Sequence, residues 1–254
     1  MQAYSNKVFA RVYSARCSGL ARRLAPLICD FYERTEVAEG SKSILDLGCG
    51  TGQLILYFLS RGYKAVGIDL SEHMLSVAEE NACQYVQSGH ARFVQADASD
   101  FTLDERFGLV VSTDDALNHL EDEQSLQRCF QCVRAVNDGY FIFDLNTRRG
   151  LRQCNNILLD DSTEDTVLIN RGIYDGNGSR AWTSFTGFLR TPSGLYERFD
   201  ETLFNTIFQM EAVKNMLLES GWSEVRFCRI WDLGSSLLPC ESENEGRVLI
   251  VARA

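Results

Sequence analysis

A chain of 254 residues can bury a full core in one α/β domain carrying an insertion, and its 45% hydrophobic and 24% charged residues are an ordinary globular balance. No run approaches the eighteen or so uninterrupted apolar residues of a membrane span, the first residues lack a basic segment followed by an apolar core, and the nine cysteines are odd in number. A reduced cytoplasmic protein is therefore expected, with no membrane partner, and the net charge of −10 speaks against nucleic acid, whose phosphates call for a basic face.

Apolar residues recur at helical intervals between Val8 and Arg34 (Leu20, Leu24, Leu27, Ile28, Phe31), predicting one or two helices that cover the main sheet as a lid over residues 1–40. The spacing next predicts strand 43–47, helix 54–60, strand 65–69, helix 71–81, strand 91–96, strand 108–112, helix 122–135 and strand 139–144. Short apolar strands alternating with helices mean a parallel sheet covered on both faces, and the right-handed crossover rule makes it doubly wound. Beyond Gly150 the pattern changes to the runs 167–173, 182–188 and 196–204, broken by the turn signals Asp175-Gly176-Asn177-Gly178 and Pro192-Ser193-Gly194. An antiparallel sheet over 151–206 is expected there. The α/β pattern of 41–150 resumes over 207–254 with helix 210–220, strand 225–230 and a closing strand 247–252. The inserted sheet offers an edge that could pair two copies across a two-fold axis as a homodimer.

After the first strand comes Asp46-Leu47-Gly48-Cys49-Gly50-Thr51-Gly52, glycines where a backbone must turn sharply and approach a ligand closely. By itself such a loop fits a dinucleotide, a phosphate or a tight turn. A dinucleotide fingerprint wants glycine at the sixth position, which is Gln53, and a phosphate loop ends in Gly-Lys-Ser/Thr, which is missing. Asp46 places a negative charge at the loop entrance, awkward beside a pyrophosphate but suited to a ligand bearing an ammonium and a sulfonium. Asp69, ending the second strand, can accept both hydroxyls of a ribose, or can cap the following helix, a task that Ser71 also suits. Asp97 and Ala98 follow the third strand, where a carboxylate can accept from an adenine amino group and a backbone N–H can donate to the ring. Met74 could pack on an adenine face or fill core. Cys129-Phe130-Gln131-Cys132 has metal-type spacing but no second pair, so no metal is expected.

These segments, with Gly67-Ile68-Asp69-Leu70-Ser71-Glu72-His73-Met74-Leu75 and Phe107-Gly108-Leu109-Val110-Val111-Ser112, together resemble the class I (Rossmann-like) S-adenosylmethionine-dependent methyltransferases over roughly residues 40–147. The resemblance implies a seven-stranded, mostly parallel sheet whose last strand is antiparallel, with S-adenosylmethionine as the methyl donor. It implies cofactor contacts from Asp46, Gly48, Cys49, Gly50 and Gly52, from Asp69, Leu70 and Met74, and from Asp97, Ala98 and Thr113. The remainder resembles the small-molecule branch containing glycine and amino-sugar N-methyltransferases, where an antiparallel sheet follows the fifth strand. The segment Thr113-Asp114-Asp115-Ala116-Leu117-Asn118-His119-Leu120 is more acidic than that branch's pattern.

Methyl transfer from such a donor is an in-line displacement, for which alignment can contribute about 7–11 kcal/mol, so no strong protein nucleophile is required. The expected acceptor is a nitrogen or oxygen of a small molecule. His119, with an ordinary pKa of about 6.5, is the candidate base, or else a polar residue at a helix start. Tyr13 could close over the cofactor or serve as a packing aromatic, and Asp114 and Asp115 could pair with a cationic substrate or cap the helix after them. Two rivals remain: a regulator that keeps the pocket and transfers nothing, and a nicotinamide-dependent oxidoreductase, which Gln53 disfavours.

Overall fold

The computed structural model describes residues 6–254; the first five residues of the expected lid lie outside the described residues. Ser43–Leu47 (β1), Lys64–Asp69 (β2), Ala91–Gln95 (β3), Phe107–Ser112 (β4) and Asn137–Asn146 (β5) are the apolar runs of the first half, and they pair in parallel. Side chains alternate between the two faces of this sheet. Leu45, Val110, Phe141 and Phe143 face one core and Ile44, Leu109, Val111 and Ile142 the other.

The helices that cover these faces carry apolar stripes. On the second core lie Gly19–Tyr32 (α2), which follows Lys7–Arg16 (α1) and precedes the short Glu36–Gly40 (α3), and Gln53–Ser60 (α4). After Glu72–Asn81 (α5) and Cys83–Gln87 (α6), the first core is closed by Glu123–Val136 (α7), whose Leu126, Phe130 and Val133 are fully buried. Asp122 starts α7, its carboxylate accepting from the Ser125 N–H at 2.8 Å.

Following Arg148–Gln153 (α8), the inserted sheet has four antiparallel strands in chain order: Ile157–Thr163 (β6), Thr166–Ile173 (β7), Arg180–Arg190 (β8) and Tyr196–Thr206 (β9). The chain then returns through Met210–Glu219 (α9), Glu224–Arg229 (β10), Asp232–Leu237 (β11), Pro239–Ser242 (α10) and Arg247–Arg253 (β12). β12 enters between β5 and β10, antiparallel to both, giving the order β11-β10-β12-β5-β4-β1-β2-β3.

Two expectations need correction. The main sheet has eight strands instead of seven, because β11 folds back antiparallel at its edge, and the inserted sheet gains β6. Both are edge strands: the apolar Ile157, Leu158 and Leu159 of β6 are exposed in succession, and β11 alternates in burial but carries Gly234-Ser235-Ser236 between its two leucines, so neither shows apolar alternation in its sequence. The lid is also divided. Whereas α2 lies on the sheet, α1 leaves it, and its Phe9 and Val12 are buried with Met74 of α5 and with Leu168 and Phe199 of the inserted sheet. No helix among the described residues is long and apolar enough to cross a membrane.

Candidate active site

The strand order reverses between β1 and β4, and a doubly wound sheet opens a crevice at the carboxyl ends of its strands at such a point. The glycine loop sits there. Gly48, Gly50 and Gly52 have φ of 70°, 52° and 77°, and a Cβ on Gly48 would stand 2.6 Å from that of Ala116. Gly52 starts α4, so the helix opens directly out of the loop.

Three carboxylates lie at or just past the carboxyl ends of β1, β2 and β3. Asp46 is buried, and its Oδ1, like Thr51 Oγ1 in the loop, has no hydrogen-bond partner among the described residues. Burial, and then the charge of Asp69, pushes the Asp46 carboxyl up to about 8. Asp69 accepts from the Gly50 N–H at Oδ2 (2.8 Å) and from the Ser71 N–H at Oδ1 (2.9 Å). Burial raises its carboxyl, and those two N–H groups oppose the rise. Ser71 caps α5 by accepting from Met74 N–H, so Asp69 is tied to the loop instead of serving as that cap. Asp97 Oδ1 accepts from both the backbone and the hydroxyl of Ser99, at 2.7 and 2.8 Å.

A cavity of about 330 Å³ brings Gly48, Gly50, Asp69, Leu70, Met74, Asp97, Ala98 and Thr113 together with Tyr13, Asp114, His119 and Phe204. A small adjoining pocket adds Asp46, Cys49 and Thr51. Met74 lines the cavity while packed in the Phe9 cluster. Gln53 lines the small pocket and joins the lid, accepting from Arg22 Nε at 3.0 Å and donating to Ser14 Oγ at 3.3 Å.

His119 closes a 3₁₀ turn, Ala116–His119, instead of opening a helix. Its Nδ1 lies 2.6 Å from the Phe204 carbonyl, which can only accept, so Nδ1 carries the proton and Nε2 is the basic nitrogen of the neutral ring. The Tyr13 hydroxyl donates to Asp114 Oδ2 at 3.0 Å, joining the lid to the turn. Asp114 is pushed up to about 7, chiefly by burial and next by Asp115, while Arg247 and Tyr13 pull it down.

Asp114 and Asp115 do not cap the turn after them. Both take left-handed backbone, φ 65° and 52°, and their N–H groups donate to the Asp144 carboxylate. Asp115 lines neither cavity, and its own carboxylate accepts from Arg247 and from Asn205 Nδ2. Gly52 also lines neither, its place being the start of α4. Asp144, Arg247, Asn118 and Asn205 are the supporting residues that sequence reasoning missed. Asp144 had a signal, an acid ending an apolar strand, whereas Arg247 had none.

Comparison with known proteins agrees with this architecture. A family model described as a methyltransferase domain matches residues 44–139. YqeM of Bacillus subtilis, a methyltransferase-family protein, is 30% identical over 193 residues, covering 70% of this chain and 72% of that one. One from Geobacillus is 27% identical over 199 residues, 73% of this chain and 75% of the relative. The solved sugar N-methyltransferase from Streptoalloteichus shares the fold, with a TM-score of 0.78 at 21% identity over 100% of this chain and 94% of its own. The glycine loop, the acids at successive strand ends and these relatives agree: the chain belongs to the class I S-adenosylmethionine-dependent methyltransferases.

Proposed function

We propose that this methyltransferase acts on an amine nitrogen of a small molecule held between α1, the turn 113–119 and β9. Asp114 carries the reading. A carboxylate buried at the wall of the cavity favours a cation beside it, and an oxygen acceptor gives it nothing to neutralise.

The residues present fit the methyl donor. Asp46 Oδ1 and Thr51 Oγ1 are buried polar atoms without partners in the small pocket, as a site for a donor-rich ammonium group would leave them. Bound there, S-adenosylmethionine supplies an electrophilic methyl group on its sulfonium. In this reading Asp46 accepts from the ammonium, and Gly48, Cys49 and Gly50 let the backbone come close. Asp69 accepts the ribose hydroxyls on the lone pairs that Gly50 and Ser71 leave, and Asp97 takes the adenine amino group while the Ala98 N–H meets the ring. Leu70, Met74 and Thr113 wall the cavity around it. His119 Nε2 removes the proton an amine must lose before it attacks, and Tyr13 shuts out water from the lid side. The reading divides the chain into a lid of 1–40, a donor-binding unit of 41–150 with 207–254, and an acceptor-shaping insert of 151–206.

The test is turnover. With S-adenosylmethionine and a panel of small amines, alcohols and phenols, S-adenosylhomocysteine should form with amines, and Asp114→Asn should lower kcat/KM for the best of them on the order of 10–100-fold. Turnover confined to hydroxyl compounds, untouched by Asp114→Asn, overturns the proposal.

A further inference from the structure

We propose that Arg247 is a positioning residue for the acceptor end of the cavity: from the start of β12 it fastens the Asp114–Asp115 turn to β5 and sets a positive charge against the acids gathered beside Asp114. The inference rests on the role given to Asp114 above, and neither Arg247 nor Asp144 falls within the segment 44–139 that matches the methyltransferase domain.

Two consecutive left-handed residues that are not glycine cost on the order of 1–3 kcal/mol each, so something must hold the turn. Its two N–H groups converge on one carboxylate, Asp114 N on Asp144 Oδ1 at 2.7 Å and Asp115 N on Asp144 Oδ2 at 3.1 Å. Asp144 has no exposure to solvent, and a buried carboxylate is costly unless it is paired. Arg247 pairs it, donating through Nη1 to Asp144 and through Nη2 to Asp115. One planar guanidinium therefore spans two carboxylates. Register places it: Arg247 stands opposite Asn146, two residues beyond Asp144 on β5.

The groups that face Asp114 are Tyr13 and Cys17 from α1 and its end, Asp115 beside it, Asp144 from β5 and Arg247 from β12, with His119 on the same cavity wall. Asp115 and Asp144 favour its protonated form, and Arg247 opposes them. Removing the guanidinium leaves two uncompensated negative neighbours, so Asp114 should hold its proton to higher pH.

The experiment needs no acceptor. Carboxyl carbons of the intact, ¹³C-aspartate-labelled chain are titrated by NMR, with Asp114→Asn identifying the Asp114 signal, and S-adenosylhomocysteine affinity is measured by calorimetry. In Arg247→Met the Asp114 midpoint should rise by about one unit or more, Arg247→Lys should recover part of that rise, and product affinity should stay within about threefold of the parent. A midpoint that does not move in either variant, or one that moves only together with loss of S-adenosylhomocysteine binding, overturns the proposal. If Arg247→Met does not fold, Arg247→Lys decides on the same criterion. A hydroxyl acceptor would sink the amine reading and leave this titration result standing.

Discussion

The role proposed for Asp46 makes donor binding depend on pH. Its carboxyl is held at about 8 by burial, against about 3.9 in an unfolded chain, so between those values the folded protein holds a proton that the unfolded chain has released. This contribution to stability is full below the unfolded value and is lost as pH rises through the folded one. Asp46→Asn should flatten that decline, seen as a smaller drop in Tm between pH 5 and 8. A cationic ligand reverses the preference, since an ammonium beside Asp46 Oδ1 favours the carboxylate. S-adenosylmethionine affinity should therefore increase from pH 6 to 7.5, by less than about tenfold per unit, and Asp46→Asn should bind weakly with no such slope in calorimetry. In the proposed mechanism His119 acts in the chemical step. With Nδ1 occupied by the Phe204 carbonyl, His119→Ala should lower kcat on the order of 10²–10⁴-fold and leave donor affinity nearly unchanged; undiminished turnover would remove its role as base.

At the scale of elements, the end of β9 fastens the turn that walls the cavity. Phe204 O holds His119, Asn205 holds Asp115, and Thr206 accepts from Asn118 and donates from its hydroxyl to the Leu120 carbonyl at 2.6 Å. Asn118 is the centre of this joint. Fully buried, it donates to the carbonyls of Asn146 and Thr206 and accepts from the Asn146 N–H at 2.9 Å, tying β5, the turn and the insert together. Asn118→Ala strands three backbone groups at about 1 kcal/mol or more each, so Tm should fall by roughly 6–12 °C. Little of this joint was legible in the sequence, because its partners are far apart in the chain and most of its contacts run to backbone atoms. The parallel strands were legible because burial on both faces writes continuous apolar runs, and the glycine loop because left-handed backbone selects glycine. Asp114 and Asp115 break that second rule: Arg247 and Asp144 supply from a distance what glycine supplies locally.

Across the whole molecule, the cavity is closed by a strap whose two ends are anchored differently. At the α2 end, Leu24 and Ile28 are buried in the core of the main sheet, an attachment shared with α4. The α1 end is held by the insert and the cavity itself: Phe9 lies 5.1 Å from Phe185 and 5.9 Å from Phe199 between ring centres, Arg16 pairs with Asp160 of β6, and Tyr13 bonds Asp114. The surface pair of Arg16 adds little, so the Phe9 cluster decides whether α1 stays down. Elements held by few buried contacts open locally at free energies below that of global unfolding. Phe9→Ala removes on the order of 3–5 kcal/mol of packing from the cluster that joins α1, α5 and the insert. Amide exchange should then quicken across residues 7–16 while β1, β4 and β5 keep their protection, and donor affinity should weaken because Tyr13 no longer closes the cavity. Uniform quickening across the sheet would instead mean that α1 belongs to the global core, with no lid to open.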